Sequence, residues 1–370
     1  MRTVVVHALE EPPAGWQAAI FLAGPTPRSP EVASWRPEMV ALLRDGWAGD
    51  GPLVIFVPER RSGPPDDYTD QVEWEERCLH LADVVLFYVP RDLATLPGFT
   101  TNVEWGMWHD SGRVVLGAPP DAPRNRYLFH YARKHGVPTA TNPAETAAAA
   151  LREIGPGAAR SAGERSVPLL VWRTASFQRW YSAQTGAGNT LLGARLVWRL
   201  PWSYWALHVE VHVAAEDRVK SNEVVLSRPD ISAVVLYVPG SCPAETRVAL
   251  VREFRSPAST SDGFVHEVPG GSGPGEPLEQ AVTEVAEETG LVLDPVRLRA
   301  HGSRQLAATM SAHHAFVFSA ELTPEELAAL RPGGEGTERT FPEIVTFGEL
   351  LADRLADWST VGMVAQVLSG

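Results

Sequence analysis

Cysteine is nearly absent from this chain, which has only two in 370 residues, Cys78 and Cys242. The two lie in different predicted domains, and Cys78 falls within a helical pattern. A disulfide between them is therefore not expected, which excludes a disulfide-stabilised secreted scaffold. The low cysteine content fits a reducing compartment, so we predict a cytoplasmic protein.

Long apolar runs and basic residues are also scarce. No stretch approaches the roughly 20 apolar residues that span a membrane, and the first residues turn acidic at Glu10 and Glu11 without the apolar core of a signal peptide. With 32 Lys and Arg against 45 Asp and Glu, the formal net charge is −13. Neither a nucleic acid nor a membrane is therefore expected as the main partner. A small phosphorylated substrate, which needs only a local arginine cluster, remains compatible with this charge.

Length and apolar content predict two domains. A chain of 370 residues exceeds the usual size of one domain, and 44% apolar residues are enough for two cores. We predict a first domain at residues 1–154 and a linker rich in glycine and small residues at 155–166. A second domain then covers residues 167–370.

The first domain alternates short apolar runs with helical patterns. The runs predict strands at residues 19–23, 53–57, 83–89 and 113–117, and the patterns predict helices at 34–43, 72–81, 102–110 and 144–152. This alternation is typical of the α/β class, with a doubly wound parallel sheet of Rossmann-like or flavodoxin-like type.

The loop after the first of these strands is a predicted ligand site. In open α/β sheets, ligands bind beyond the carboxyl ends of the strands. Gly24 and Pro25 are therefore candidate substrate-binding residues, and Arg28 is a candidate for holding a phosphate group. Thr100 and Thr101 precede a predicted helix, where they are placed to cap it or to hold a sugar hydroxyl or a phosphate.

Several separated motifs of the first domain occur in a recognisable order. They are Phe21-Leu-Ala-Gly-Pro25, Trp74-Glu75 followed by Leu81-Ala-Asp-Val-Val-Leu-Phe87, and Gly98-Phe-Thr-Thr-Asn-Val-Glu-Trp-Gly106. Together they resemble the nucleoside 2-deoxyribosyltransferase superfamily, and more closely its 2-deoxyribosyltransferase-like branch, over residues 18–150. The resemblance implies that Glu104 attacks C1′ of the sugar and displaces the base. Asp83 matches a second catalytic position by its motif.

A carboxylate beneath C1′ suits this reaction, because breaking an N-glycosidic bond passes through an oxocarbenium-like state. A second acid must then protonate the departing base. The transferases carry an Asp-x-Gly-Thr run before the nucleophile, whereas residues 96–101 lack that aspartate and Asp92 lies slightly upstream. This departure favours hydrolysis over base transfer. The loop at residues 58–68 is predicted to form a lid or rim, with Arg60 and Arg61 as further phosphate candidates.

The second domain contains a glycine-rich turn followed by an acidic helical pattern. Glu284, Glu287 and Glu288 stand at i, i+3 and i+4, so they share one face of a helix. No Lys or Arg lies between Glu276 and Arg297 to offset their mutual repulsion. A divalent cation would offset it, and oxygen ligands suit Mg²⁺ or Mn²⁺. The alternative is an acidic surface helix behind a flexible loop.

This segment resembles the Nudix box, GX5EX7REUXEEXGU, of hydrolases that cleave nucleoside diphosphates linked to another moiety. Gly270 and Glu276 fit its opening and residues 284–291 fit its close, but the spacer is one residue short and Thr283 replaces the arginine of the box. The resemblance implies an α+β Nudix fold with a mixed sheet. It also implies Mg²⁺ or Mn²⁺ at the three glutamates, with Glu288 as the catalytic one.

Flanking residues extend the resemblance to the ADP-ribose-type Nudix pyrophosphatases. Arg252-Glu-Phe-Arg255 is followed by a Glu-x-Pro-x-Gly-like run that begins at Glu267. The resemblance implies that Glu267 is a further metal ligand and that Arg252 or Arg255 holds a phosphate bidentately. A surface salt bridge is the alternative for either arginine. Further predicted strands lie at residues 232–238, 247–252 and 315–320, and residues 343–351 run from a strand into a closing helix.

Residues 167–225 are harder to assign. They contain strand-like runs at 169–173 and 207–213 and five of the twelve tryptophans. Two interpretations stay open, a β-extension used in dimerisation and a docking surface between the domains. A homo-oligomer, in particular a dimer, is expected from the two resemblances.

Taken together, the sequence predicts a bifunctional enzyme acting on small-molecule nucleosides or nucleotides. The second domain would hydrolyse a nucleoside diphosphate derivative with a metal ion, and the first would cleave the N-glycosidic bond of a nucleoside or nucleoside monophosphate. The alternative is an active N-glycosidase or deoxyribosyltransferase whose degenerate Nudix domain is a nucleotide-binding sensor, as Thr283 and the short spacer suggest.

Overall fold

The computed structural model describes residues 3–29, 31–61, 68–200, 204–273, 275–333, 339–352 and 356–369. The chain divides into two compact units between Val225 and Leu226. Residues 155–225, predicted to hold a linker and the start of the second domain, therefore belong to the first unit, while the functional domain boundaries stay a prediction. Residues 62–67 of the predicted lid loop lie outside the described residues.

The first unit is built around one parallel sheet. Its elements, in chain order, are β1 Thr3–His7, β2 Gly15–Trp16, β3 Ala18–Ala23, α1 Arg36–Gly46, β4 Leu53–Val57, α2 Thr69–Leu81, β5 Val84–Tyr88, α3 Phe99–Trp108, β6 Val114–Gly117, α4 Arg126–Lys134, β7 Thr139–Ala140, α5 Pro143–Ile154, β8 Arg160–Ser161, α6 Leu169–Trp172, α7 Ala175–Gly186, β9 Thr190–Leu200, β10 Tyr204–Val213 and β11 Arg218–Ser227.

The predicted parallel sheet is confirmed. Its strand order is β1-β4-β3-β5-β6-β7, and every neighbouring pair is parallel. Helices α2, α3 and α4 cover one face through side chains such as Trp74, Trp105 and Leu128. Helices α1 and α5 cover the other through Met39 and Ala150. The four central strands, β3 to β6, are buried throughout and are continuous apolar runs, which is why the sequence pattern revealed them. The partly buried edge strands β1 and β7 were not predicted.

One strand prediction in the first unit is wrong. The run at residues 169–173 is not a strand, because Leu169–Trp172 forms helix α6 directly after Pro168. A short apolar run fits either a strand or a buried helical turn, and periodicity cannot separate the two. The run at 207–213 does form a strand, as part of β10 in an antiparallel sheet of order β11-β10-β9.

The second unit contains a mixed sheet. Its elements, in chain order, are β12 Ile231–Val238, β13 Arg247–Phe254, β14 Phe264–Glu267, β15 Gly270–Gly271, α8 Pro277–Thr289, β16 Arg299–Gln305, β17 His314–Glu321, α9 Pro324–Ala328, β18 Phe341–Thr346, α10 Phe347–Ala352 and α11 Trp358–Leu368.

Strand β12 is the centre of this mixed sheet, parallel to β17 and antiparallel to β13. Helix α8 packs on one face through Ala281 and Val285, and α10 and α11 pack on the other through Leu350 and Val364. The predicted mixed sheet is therefore confirmed, while the Nudix fold itself remains a prediction. Within the described residues, no helix has both the length and the apolar character needed to cross a membrane.

Candidate active site

The carboxyl edge of the parallel sheet carries a tight loop after strand β3. Gly24 has a φ of +152°, and a Cβ atom there would lie 2.2 Å from the carbonyl oxygen of Tyr88 and 2.7 Å from the ring of Trp35. A larger residue would therefore collide with the end of β5. Gly24 and Pro25 are both buried, and their loop lies closely against the neighbouring strand.

Arg36, the first residue of α1, fixes this loop from below. Its guanidinium is buried and donates to the carbonyl oxygens of Leu22 at 3.2 Å and Gly24 at 2.8 Å. It also donates to the Thr26 hydroxyl at 3.2 Å and forms an ion pair with Glu59 at 2.6 Å. A buried cation thus stands directly beneath the predicted ligand loop, with partners on β3 and after β4.

Glu104 lies on helix α3 within the electrostatic reach of that cation. Its pKa is raised to about 7, mainly because burial disfavours the charged carboxylate and then because Glu75 repels it, while Arg36 acts in the opposite direction. The pKa of Glu75, on α2, is also raised by burial, against a hydrogen bond from Gln71 and the charge of Arg36. The pKa of Tyr68 is raised by burial and by both glutamates. Two carboxyl groups, a phenol and a guanidinium therefore form one cluster.

Helix α3 is held in place by a second buried arginine. Arg91 donates to the carbonyl oxygen of Pro97 at 2.6 Å and to Oδ1 of Asn102 at 2.7 Å, and also to Oδ1 of Asn125 at 3.1 Å. The helix begins after Gly98, which has a φ of +63°. These contacts fix the start of the helix that presents Glu104.

The other predicted substrate-binding residues of the first unit lie around this helix start. Thr101 is fully buried, and its hydroxyl has no hydrogen-bond partner among the described residues. Thr100 is exposed. Arg28 is exposed at the rim, with its guanidinium carbon 5.6 Å from the centre of the Phe99 ring. The structure therefore places Gly24, Pro25 and Thr101 inside the loop region, and Arg28 and Thr100 at its outer surface.

Asp83 has a structural position instead of the predicted catalytic one. It precedes β5 and so lies at the amino edge of the sheet, opposite the Gly24 loop. Its carboxylate forms a buried ion pair with Arg160, through bonds of 2.8 and 2.6 Å, and accepts from the backbone N–H groups of Ala19 and Leu169. These hydrogen bonds connect the start of β5 to β3 and to the segment after α5, so the Asp83 carboxylate stabilises the fold.

Asp92, the upstream candidate for the second acid, is occupied as well. Its carboxylate accepts from Ala94 and from the N–H and hydroxyl of Thr95 in an exposed turn. Trp105 and Trp108, on the same helix as Glu104, are buried in the core under the sheet. The carboxylate of Asp92 is therefore already engaged in its own turn, and these two tryptophans pack in the core.

The second unit contains a cleft of about 1130 Å³ beside helix α8. Five carboxylates line it, namely Glu253, Glu267, Glu284, Glu288 and Asp357. The backbone N–H of Gly270 donates to Glu288 at 2.9 Å, and a Cβ atom on Gly271 would overlap the carboxylate of Glu284. The pKa of Glu288 is raised to about 8 by burial and by the charges of Glu284 and Glu253, despite that N–H donor and Arg255.

Three arginines line this cleft, namely Arg228, Arg255 and Arg339. Arg255 forms ion pairs with Glu267 at 2.7 Å and with Glu253 at 2.9 Å. Arg252, the other predicted phosphate-binding arginine, does not line the cleft; it pairs with Asp262 at 2.6 Å and stacks on Phe264. Both predicted arginines therefore form salt bridges, and Arg255 also lines the cleft.

The predicted metal ligands are only partly brought together. Glu284 and Glu288 share the cleft, Glu267 lines it while paired with Arg255, and Glu287 is exposed and does not line it. In the parts of the chain that the structure describes, no three His, Cys, Asp or Glu side chains are placed to hold one ion together. The donor set is nevertheless made of carboxylate oxygens, which suit Mg²⁺. Thr283, in place of the arginine of the box, is exposed and bonds only along its own helix.

Sequence reasoning missed several members of both sites. Arg36 and Glu59 meet across 23 residues and two elements, which no local pattern reveals. Glu75 was recognised as part of the Trp74-Glu75 motif. Its interaction with Glu104, on a different helix, depends on the fold and could not be predicted. Glu253 follows Arg252 in a strand and gives no signal of its own.

A comparison with known families agrees with the first unit. Residues 17–122 match the family model described as "Nucleoside 2-deoxyribosyltransferase like". This match confirms the predicted N-terminal domain of that kind and indicates glycosyl-transfer chemistry at the N-glycosidic bonds of nucleosides. No curated protein matches the chain. No family match supports the Nudix resemblance of the second unit.

Proposed function

We propose that the first unit cleaves the N-glycosidic bond of a nucleoside or nucleoside monophosphate, with Glu104 as the nucleophile. The observation that carries the proposal is the cluster of Glu104, Glu75 and Arg36 beneath the Gly24 loop. Two acids with raised pKa values at the carboxyl edge of a parallel sheet are a suitable pair for nucleophile and general acid.

The reaction needs one ionised and one protonated carboxyl group. A carboxylate oxygen of Glu104 attacks C1′, and the C1′–N bond breaks with its electron pair passing to the base nitrogen. Glu75 donates the proton that the departing base needs. Water then attacks C1′ of the sugar ester, Glu75 accepts the proton of that water, and Glu104 leaves as a carboxylate. Arg36 keeps Glu104 partly ionised, because it favours the charged form.

Hydrolysis is proposed over base transfer because the aspartate of the transferase motif is absent and Asp92 is occupied in a turn. The phenol of Tyr68, whose pKa responds to the charges of Glu75 and Glu104, is one group near the pair that could orient a base. A transferase variant of the same mechanism would replace water by a second base in the last step.

The test is free-base release from a panel of nucleosides and nucleoside monophosphates without added metal. Glu104→Gln keeps the size of the side chain and should lower the rate of base release by at least about a hundredfold. Glu76→Gln, an exposed acid on α2, is the matched control and should leave release unchanged. Release that survives Glu104→Gln would overturn the assignment. Release only after addition of an acceptor base would make the unit a transferase.

A second activity is proposed for the second unit, the metal-dependent hydrolysis of a nucleoside diphosphate derivative. The acid-lined cleft of about 1130 Å³ with Arg255 favours it. Glu284 and Glu288 would hold Mg²⁺, with Glu267 as a further ligand, and the ion would supply charge neutralisation to the phosphates. Arg255 would bind a phosphate oxygen, and Glu288 would accept a proton from the attacking water. The alternative is a nucleotide-binding sensor that binds without cleaving.

The ion site can be tested without turnover. We expect Mn²⁺, followed by its EPR signal, to bind the whole chain and to bind at least about tenfold more weakly in Glu284→Gln and Glu288→Gln. Glu287→Gln lies on the same helix but outside the cleft, so it should bind Mn²⁺ as the wild type does. Equal weakening by all three variants would contradict the ligand set drawn from the cleft.

A further inference from the structure

Helix α4 carries a basic face that lines a cavity. Arg126, His130 and Arg133 stand at i, i+4 and i+7 and therefore share one side of the helix. All three line a cavity of about 520 Å³, together with residues 118–120 and Thr141. The cavity lies beyond the carboxyl ends of β6 and β7, the edge of a parallel sheet where ligands commonly bind.

The charges on this face are not balanced by neighbouring acids. Within the described residues, no carboxylate lies within ion-pair distance of Arg126 or Arg133, whereas Arg36, Arg160 and Arg255 all form ion pairs. Residues 124–144 contain four Lys and Arg and no Asp or Glu, in a chain of net charge −13. At the rim, Glu145 accepts from the N–H and hydroxyl of Thr141, but it does not line the cavity.

One residue of the cavity wall belongs to the hydrogen-bond network that holds the start of α3. Asn125 lines the cavity, donates to the carbonyl oxygen of Val89 at 2.9 Å and accepts from Arg91 at 3.1 Å. Arg91 in turn holds Pro97 and Asn102 at the start of α3. The exposed side chains of Arg126, His130 and Arg133 therefore stand over a cavity whose wall includes buried Asn125, one hydrogen bond from the network that holds α3.

We propose that this cavity binds the phosphate group of a phosphorylated small molecule. Two guanidinium groups bind phosphate oxygens bidentately, and the imidazole of His130 can add a further donor. Tyr127 and Thr141 also line the cavity, and their hydroxyls donate to Tyr131 and to Glu145, so the donors offered to the anion are the two guanidinium groups and the imidazole. A phosphate dianion balances two cations, whereas a single carboxylate would leave one unpaired. The phosphate belongs either to the substrate of Glu104 or to a separate phosphorylated ligand.

Direct titration tests the site without any turnover. The whole chain is titrated with inorganic phosphate and with pyrophosphate by calorimetry, as wild type and as the Arg126→Ala/Arg133→Ala double variant. We expect the double variant to bind at least about tenfold more weakly. Lys134→Ala, an exposed cation on the same helix outside the cavity, should bind as the wild type does. Arg126→Lys/Arg133→Lys keeps the charge and should bind with an intermediate affinity.

Two results would overturn the proposal: no binding of either anion by the wild type, or equal binding by the alanine double variant with unchanged unfolding temperature. Base-release kinetics then show whether the bound phosphate belongs to the substrate of Glu104 or to a separate ligand. If the substrate carries it, the double variant raises KM for a nucleoside monophosphate and leaves KM for the nucleoside unchanged. If a separate ligand carries it, both KM values stay unchanged. Because the titration needs no activity, failure of the glycosidase proposal and failure of this site remain distinguishable.

Discussion

At the scale of single residues, Glu104 and Glu75 form a coupled pair of acids. The pKa of Glu104 is raised to about 7 and that of Glu75 is also raised, so the pair gives up its two protons in separate steps. Only the singly protonated pair provides both a nucleophile and an acid. We therefore expect kcat/KM for base release to rise with pH as the first proton leaves and to fall as the second leaves.

Glu75→Gln separates the two limbs of that profile. Glutamine has no proton to lose, so the falling limb should disappear and only the rising limb that reports ionisation of Glu104 should remain. The rate should also fall by about 10²–10⁴-fold because the acid is lost. Glu73→Gln, an exposed acid on the same helix, is the control and should leave the profile unchanged. A falling limb that survives in Glu75→Gln would contradict the role of Glu75 as the acid.

Asp83 gives a second residue-scale prediction. Asp83→Asn leaves the buried guanidinium of Arg160 without its counter-charge, so the free energy of unfolding of the first unit should fall by about 3–5 kcal/mol. Denaturant unfolding measures this loss. The paired change Asp83→Leu/Arg160→Met removes both charges and should cost less than Asp83→Asn alone. A folded Asp83→Asn protein that has lost base release without losing stability would restore the catalytic prediction.

The same residues show how far sequence reasoning reaches at this scale. Glu104 was found because a contiguous motif surrounds it. Arg36 was not found, since the groups that it bonds lie elsewhere in the chain, in residues 22–26 and at Glu59. Asp83 was predicted as catalytic because a motif records the residue type, whereas only the fold records that it lies at the amino edge of the sheet, paired with Arg160. The sequence offered no reason to prefer Arg252 or Arg255 as the phosphate-binding residue. The structure distinguishes them by their ion-pair partners, which are Asp262 for Arg252 and Glu267 for Arg255.

At the scale of elements, the close approach of the β3 loop to β5 depends on Gly24. Gly24→Ala would place a Cβ atom 2.2 Å from the carbonyl oxygen of Tyr88, so a strand end must shift. We expect a loss of about 1–3 kcal/mol in unfolding free energy, together with reduced base release, because Arg36 is bonded to the Gly24 carbonyl. Thermal unfolding and the base-release assay measure the two effects.

A matched control lies on helix α3. A Cβ atom on Gly106 would meet nothing within 4 Å, so Gly106→Ala should leave the site intact and should stabilise the helix by about 0.5–1 kcal/mol. If both glycine variants lost stability equally, the close packing of the β3 loop would not be the cause.

Element prediction succeeded where burial imposes a long or repeated pattern. The four central parallel strands are buried on both faces, so their apolar runs stand out between the helices, whereas the partly buried edge strands β1 and β7 were missed. It failed at residues 169–173, where four apolar residues after Pro168 form a helical turn. The basic face of α4 was not predicted either, because Arg126, His130 and Arg133 become a group only when the helix and the cavity are known.

At the scale of the whole molecule, the chain joins two compact units with separate acid clusters. The family match covers residues 17–122 of the first unit, and the proposed activity of the second unit rests on its cleft. The two proposed reactions would be consecutive, since the nucleoside monophosphate released from a diphosphate derivative is a substrate of the kind that Glu104 would attack. The product would carry the phosphate that the α4 cavity is proposed to bind.

This sequence of reactions can be tested with two single variants. A nucleoside diphosphate derivative given to the wild type with Mg²⁺ should yield free base. The Glu288→Gln variant should leave the diphosphate derivative uncleaved but should still release base from a nucleoside monophosphate. The Glu104→Gln variant should cleave the diphosphate derivative and accumulate the nucleoside monophosphate. An equal mixture of the two variants should again yield free base, because the intermediate passes through solution. Base release from the diphosphate by Glu288→Gln alone would show that the second unit is not needed, and tight binding without cleavage by the wild type would make it a sensor.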